Sequence, residues 1–297
     1  MGQGGKINKV KNAKLKESLA QVGFFIAATI CIIAVIVICL FLFINGVPAI
    51  KEVGFFRLIA GADWSPMDTP ASYGIFPMIV GSVMVTAGAI IVGVPIGLFT
   101  SVFMAFFCPR RVYPALKAAV NLLAGIPSVI YGFFGITVIV PAIRSLFGGT
   151  GTSVLAASVL LGLMILPTII GICESSLRAV PESYFEGAIA LGAGRYYAIF
   201  SVTLPAAKSG VLSAIILGIG RAIGETMAVI MVAGNQARIP DSALKGVRTL
   251  TANIVLEMGY AADLHREVLI ATGVVLFVFI LIINLLFSVI KEGQVHD

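Results

Sequence analysis

Residues 22–44 read VGFFIAATICIIAVIVICLFLFI, and no charged side chain interrupts this stretch. A helix needs about 20 apolar residues to cross the roughly 30 Å hydrocarbon layer of a bilayer. The stretch therefore predicts a retained membrane-spanning helix, because a cleaved secretory signal has a shorter apolar core and a small-residue cleavage site. The segment before it, residues 1–21, is basic: its five lysines are opposed only by Glu17.

The composition extends this conclusion to the whole chain. Of its 297 residues, 59% are hydrophobic and 11% are charged, which leaves too little polar surface to cover a soluble fold of this size. We therefore predict an all-α integral membrane protein with about six spans, in which residues 22–297 form one transmembrane domain. After the first span, the charge-poor stretches lie at about 75–107, 116–143, 153–173, 209–236 and 268–290.

The distribution of basic residues predicts the orientation in the membrane. Six spans place both termini on one side, where twelve Lys and Arg residues fall in the loops and tails, against seven on the other side. Because Lys-rich and Arg-rich loops stay in the cytoplasm, we predict cytoplasmic termini in a bacterial cytoplasmic membrane. The net charge of +6 does not indicate a nucleic-acid partner, since the basic residues form short clusters between apolar stretches.

Residues that could carry chemistry are sparse. The four cysteines and two histidines lack the spacing of metal ligands. The spans contain no nucleophile with a neighbouring base, and the chain has no nucleotide-binding Gly-rich loop ending in Gly-Lys. The sequence therefore implies no metal, no cofactor and no enzymatic activity of its own.

A charge pair lies in the fifth predicted span. Residues 218–226 read GIGRAIGET, which places Arg221 and Glu225 four residues apart and on one face of a continuous helix. Burying charge in a bilayer costs at least about 3 kcal/mol per residue. Either the two residues neutralise each other within the bundle, or they line a translocation path. In the second case Arg221 binds an oxyanion through its planar fork, Glu225 holds the guanidinium until substrate displaces it, and Thr226 adds a donor.

The loop at 174–208 is patterned. Pro181 and Glu182 favour a helix start, and Gly192 and Gly194 favour a stop, so a short helix is predicted at about 181–191. Within this loop, Glu186-Gly-Ala-Ile-Ala-Leu-Gly192 is followed by Val202-Thr-Leu204-Pro205.

This string resembles the cytoplasmic EAA loop of ABC importer permeases. Gly187 and Val202 depart from the pattern, and the matching residues are Glu186, Ala188, Gly192, Leu204 and Pro205. The resemblance implies a type I permease bundle whose short cytoplasmic helix docks on a separate ATPase subunit and carries its closing motion into the membrane. The loop also implies coupling contacts from Gly187. This loop disfavours an ion-coupled secondary transporter or a channel, since neither class of protein needs an ATPase-docking segment.

Three further stretches narrow the resemblance to the PstC-type permeases of phosphate importers. They are residues 218–226, the run Gly125-Ile-Pro-Ser-Val-Ile-Tyr-Gly132, and Trp64-Ser-Pro66 ahead of Tyr73. The likeness implies transport of inorganic phosphate together with a second permease subunit of the PstA type, an ATPase dimer of the PstB type and an outer phosphate-binding protein of the PstS type.

Some alternatives stay open. One arginine cannot distinguish phosphate from sulfate, molybdate or phosphonate on physical grounds. The charges of the outer loop at 237–266 are nearly balanced in sign, and we expect most of them to be solvated.

Overall fold

The computed structural model describes residues 3–293. In this part of the chain, five helical segments are long and apolar enough to cross a membrane. A sixth candidate consists of the segments Arg195–Ala206 and Lys208–Gly224, which meet at a bend of 68°. The predicted all-α membrane fold is thus confirmed. The prediction that both termini are cytoplasmic concerns residues 1–2 and 294–297, which lie outside the described residues.

The longest helices form the body of the molecule. They are α1 (Gln3–Val53), α3 (Phe76–Val102), α7 (Val154–Ala179), α11 (Lys208–Gly224) and α14 (Asp263–Gly293).

Shorter elements connect them. The helices are α2 (Phe55–Ala60), α4 (Tyr113–Gly125), α5 (Ser128–Phe134), α6 (Val140–Phe147), α8 (Glu182–Ala190), α9 (Arg195–Tyr197), α10 (Leu204–Ala206), α12 (Met227–Val232) and α13 (Leu250–Glu257). Three π-helical segments cover Phe103–Phe107, Gly135–Ile139 and Ala198–Thr203. Strands β1 (Trp64–Ser65) and β2 (Ser72–Tyr73) form an antiparallel hairpin with Trp64 opposite Tyr73.

Helix α7 lies at the centre and packs against α3, α11 and α4. Its side chains Leu160, Ile165 and Ile169 are fully buried. Glycines of α3 allow the close approach: a Cβ added to Gly93 would lie 2.8 Å from the Gly162 carbonyl oxygen, and one added to Gly97 would lie 2.7 Å from the Ile169 side chain. Small residues at such interfaces let helix backbones pack closely in lipid.

The outer elements pack on α14. Near the C-terminal end of α1, an added Cβ at Gly46 would lie 3.1 Å from the backbone of Ala271, and the Phe43 and Phe277 rings meet edge to face at 6.1 Å. Further towards the N-terminus, apolar side chains of α1 such as Phe24 and Phe25 are exposed. An exposed apolar surface of this extent fits a lipid or protein environment.

Two predicted spans differ from the observed helices. The stretch predicted at 116–143 is divided because Pro127 has no N–H to donate and restricts Ile126 to an extended conformation, with ψ of 125°. The stretch predicted at 209–236 is also divided, since α11 ends at Gly224 and α12 begins at Met227. In addition, α7 continues to Ala179, so its last turns occupy the start of the loop predicted at 174–208. By contrast, α3 runs through Pro95 without a break.

Replacing Gly93 with leucine tests the packing of α3 on α7. Overpacking of a tight contact typically costs about 1–3 kcal/mol, so we expect Gly93→Leu to lower the midpoint of thermal unfolding in detergent. Gly171→Leu is the matched control, because an added Cβ at Gly171 of α7 meets no atom within 4 Å. Equal midpoints for the two variants would contradict the packing described here.

Candidate functional site

Arg221 lies in the last turn of α11, just before the break in this span. Its Nη1 donates a hydrogen bond to Thr168 Oγ1 of α7 at 3.3 Å. Among the described residues, no carboxylate lies within ion-pair distance of its guanidinium. The side chain is exposed in the single chain, and added Cβ atoms at the neighbouring Gly220 and Gly224 meet nothing within 4 Å. The guanidinium therefore faces an open surface with most of its donors available.

The expected pairing of Glu225 with Arg221 is wrong. Glu225 is not helical, with φ of −70° and ψ of 131°. Its Oε1 accepts hydrogen bonds from the backbone N–H groups of Thr226 at 3.1 Å and Ala228 at 3.2 Å. The first N–H groups of a helix have no partner within it, and the positive end of the helix dipole favours an anion there. Glu225 thus caps α12, and the continuous helix face assumed for the pair does not exist.

Thr226 lies between the two helices of the broken span. Its Oγ1 donates to the Gly224 carbonyl oxygen at 3.2 Å, so its hydroxyl is engaged at the break. The roles predicted for Arg221, Glu225 and Thr226 along a substrate path stay predictions.

The two broken spans run side by side. An added Cβ at Gly132 of α5 would lie 3.1 Å from Ala228 Cα of α12, and one at Gly135 would contact Val232. These contacts advance in the same direction along both segments, so α5 with the π-helical segment that follows it runs parallel to α12. Irregular backbone at membrane depth is tolerated only where it is buried in protein or lines a wet cavity.

Helix α8 occupies the position where the sequence predicts a short helix. Glu186 and Gly187 are exposed, Ala188 is half-buried, and Leu191 just beyond the helix is 91% exposed. The chain then reverses at Gly192, whose φ of +88° is a left-handed conformation that glycine adopts without steric cost. Leu204 and Pro205 lie in α10, directly before the start of α11.

The inward face of α8 covers a cavity. Phe185 packs with Leu177 and Ile199 of the neighbouring core, and an open cavity of about 700 Å³ lies beside this contact, with Arg178 and Arg195 among its lining residues. The outward face of α8 has no partner within the described chain. Helix α8 is therefore a partly supported element with one free side.

Near α8, at the end of α7, Glu174 is buried. It accepts hydrogen bonds from Tyr113 Oη at 2.5 Å, Lys117 Nζ at 2.6 Å and Arg178 Nε at 3.0 Å. The hydrogen bond to Glu174, followed by burial, raises the pKa of Tyr113. The sequence pattern places Glu174 in the loop and does not indicate this cluster, which brings together residues from two helices.

A second buried carboxylate, Glu257, lies near the β-hairpin. It accepts from Trp64 Nε1 at 2.9 Å and from Arg248 Nη1 at 2.5 Å, and its Oε2 lies 2.9 Å from His265 Nε2. Burial, followed by the charge of Glu257, raises the pKa of the neighbouring Tyr260. Most charged residues of this loop are exposed, as expected. The exceptions are Arg248, Glu257 and His265, which hold the hairpin, α13 and α14 together.

Comparison with known proteins identifies the family. Residues 93–293 match the model of the family described as binding-protein-dependent transport system inner membrane component. The chain is also 37% identical to the probable ABC transporter permease protein YqgH of Bacillus subtilis (strain 168), over 95% of this chain and 94% of that protein. The chain belongs to this permease family.

Other relatives agree with the family. This permease is 30% identical to the phosphate transport system permease protein PstC of Mesorhizobium japonicum, covering 92% of this chain and 89% of the relative. It is 29% identical to the probable phosphate transport system permease protein PstC of Methanocaldococcus jannaschii, covering 93% and 96%. The predicted resemblance to PstC-type permeases is confirmed.

Solved structures share the fold. A chain of the MetNI methionine ABC transporter in an inward-facing conformation superposes with a TM-score of 0.56 at 21% identity, covering 74% of this permease and 94% of that chain. A chain of an amino acid ABC transporter gives a TM-score of 0.55 at 18% identity, with coverage of 74% and 93%. The predicted fold of an ABC importer permease is confirmed.

The cluster around Glu257 is directly testable because Trp64 is the only tryptophan of the permease. Removing one partner of a buried ion pair costs about 3–5 kcal/mol, so Glu257→Ala should loosen the hairpin. We expect red-shifted tryptophan emission and stronger acrylamide quenching. Glu267→Ala, at an exposed carboxylate of α14, should leave both unchanged; an unaltered spectrum in Glu257→Ala would contradict the cluster.

Proposed function

We propose that this permease moves inorganic phosphate into the cell as the membrane-spanning subunit of an ATP-driven importer. The observation that carries the proposal is the open guanidinium of Arg221 beside a helix break in a spanning segment. Its only hydrogen bond in the described chain is to the neutral hydroxyl of Thr168, so its charge is available to an anion. The names of the PstC relatives support phosphate as that anion.

The resemblance to PstC-type permeases suggests the partners, and the open surfaces of the chain support a place for each. A second permease subunit of the PstA type covers the face around Arg221 and completes the path. An ATPase dimer of the PstB type binds the free side of α8 and hydrolyses ATP, so this chain is not itself an enzyme. A phosphate-binding protein of the PstS type docks at the opposite end, around the hairpin and α13. Helix α8 and both termini then lie in the cytoplasm of a bacterium, in agreement with the excess of Lys and Arg on that side.

Transport proceeds by alternating access. The loaded binding protein docks outside, ATP draws the two ATPase subunits together, and α8 transmits this closure to the spanning helices. Only an interaction that differs between the two conformations can drive the exchange. Arg221 lies one turn from the break between α11 and α12, so a rearrangement at this break changes the surroundings of its guanidinium.

The role of Arg221 is tested by uptake of radiolabelled phosphate into vesicles that contain the assembled complex. A hydrogen bond to a charged group contributes about 1.5–3 kcal/mol, so Arg221→Ala should reduce uptake by about tenfold or more. Arg221→Lys, which retains the charge without the planar fork, should retain part of it. Arg111→Ala, at an exposed arginine outside the spans, is the control.

Undiminished phosphate uptake by Arg221→Ala would refute the proposal that Arg221 binds the anion along the translocation path. Competition by unlabelled sulfate, molybdate or methylphosphonate tests the other oxyanions, because a true substrate among them would suppress the labelled signal at concentrations similar to phosphate.

The role of α8 is tested at Gly192. A β-branched side chain at φ of +88° costs about 1–2 kcal/mol or more, so Gly192→Val should displace the end of α8. We expect ATP hydrolysis to continue while phosphate uptake per ATP falls. Gly194→Val is the matched control, since Gly194 has an ordinary φ of −68° and open space around it. Equal uptake per ATP in both variants would refute the coupling role.

A further inference from the structure

Glu174 is held by donors from two helices at the end of α7 that leads to α8. Tyr113 and Lys117 come from α4, and Arg178 comes from α7 itself. Glu174 is 1% exposed, and the two cations offset its buried charge. These directional bonds fix α4 against the last turns of α7. Apolar packing of Val120 with Ile170 and Met104 extends the same contact.

The two segments that flank α8 are both attached to the end of the second span. Before α8, Arg178 Nη2 donates to the Met104 carbonyl oxygen at 2.9 Å. After α8, Arg195 Nη2 donates to the Phe106 carbonyl oxygen. These oxygens belong to the π-helical segment Phe103–Phe107, where the helix ends and carbonyl groups lack partners within it. Arg178 therefore joins the Glu174 cluster to the base of α8.

Helix α4 connects this cluster to a helix break inside the bundle. Its C-terminal end is Gly125, directly before the break at Ile126–Pro127. The Tyr131 hydroxyl, on the far side of the break, donates to the Leu123 carbonyl oxygen of α4 at 2.9 Å. Beyond it, α5 packs against α12. Helix α4 therefore provides a continuous structural connection from Glu174 to the broken spans, in addition to the contacts of α7.

We propose that Glu174 is a positioning residue for energy coupling. It fixes α4 to the last turns of α7, directly before α8. Motion of α8 is then transmitted to the Ile126–Pro127 break and does not merely shift α4 against α7. This inference rests on the proposed function, in which α8 receives the motion of an ATPase. Buried ion pairs contribute little net stability compared with apolar packing, and they suit a junction that must keep one fixed arrangement.

The test compares transport with hydrolysis in the same vesicles. The complete complex, with its second permease subunit, ATPases and binding protein, is reconstituted, and both phosphate uptake and ATP hydrolysis are measured. Mutations within a coupling network typically change the coupling severalfold. We therefore expect Glu174→Gln to lower phosphate per ATP by about threefold to tenfold on this scale, with hydrolysis per assembled complex retained.

Variants of the partners make the test specific. Lys117→Gln should lower phosphate per ATP in the same direction, and Lys117→Arg should restore it. Arg111→Gln removes an exposed cation from the turn before α4 and should leave the ratio unchanged. If Glu174→Gln does not assemble, Tyr113→Phe and Lys117→Gln replace it, since each removes one bond to the carboxylate. An unchanged ratio in these variants, or a proportional fall of uptake and hydrolysis, would overturn the proposal.

A distance measurement separates failure of this inference from failure of the proposed function. Spin labels at the exposed positions Ala115 of α4 and Ala179 of α7, in a background without native cysteines, report whether the two helices move together. We expect the same distance with and without ATP in the otherwise native complex, and an ATP-dependent shift in Glu174→Gln. A shift in both overturns the inference even if phosphate is not the substrate; absence of any ATP-driven phosphate uptake in the native complex overturns the proposed function.

Discussion

A helix that breaks inside a bilayer leaves backbone N–H and C=O groups without partners in the helix, and each costs several kcal/mol unless another group binds it. At the breaks Ile126–Pro127 and Glu225–Thr226, side chains of the same chain bind some of these groups. At Ile126–Pro127 the Tyr131 hydroxyl binds a carbonyl of α4. At Glu225–Thr226 the Glu225 carboxylate binds the first N–H groups of α12, and Thr251 Oγ1 donates to the Glu225 carbonyl oxygen at 3.1 Å.

This requirement explains why Glu225 does not pair with Arg221. A carboxylate beside a helix start can accept backbone N–H groups that would otherwise be unpaired, whereas pairing with an arginine on an open surface would leave those groups without a partner. Because Glu225 binds backbone groups at this break, the Arg221 guanidinium has no carboxylate partner among the described residues. The charge of Arg221 is available because the Glu225 carboxylate accepts hydrogen bonds from the backbone of α12.

The sequence was informative where the signal is local. Apolar length was enough to predict membrane spans, and the glycines and proline around α8 were enough to predict that helix, because turn chemistry depends on the residues themselves. It was misleading for Glu225, since the i and i+4 relation presumes a continuous helix, and nothing in GIGRAIGET marks a stop as plainly as Pro127 does. It did not indicate the contacts of Glu174 with Tyr113 and of Glu257 with Trp64, which lie 61 and 193 residues away along the chain. Such contacts arise only from tertiary packing.

The three carboxylates connect different parts of the permease and have different partners. Glu257 binds the hairpin to α13 and α14 at one end, and Glu174 binds α4 to α7 at the other; each has several partners and little exposure. Between them, Glu225 is half-buried and holds only a short helix start through two neutral donors. Glu225 thus has fewer side-chain partners beside Arg221 than Glu174 and Glu257 have at the two ends.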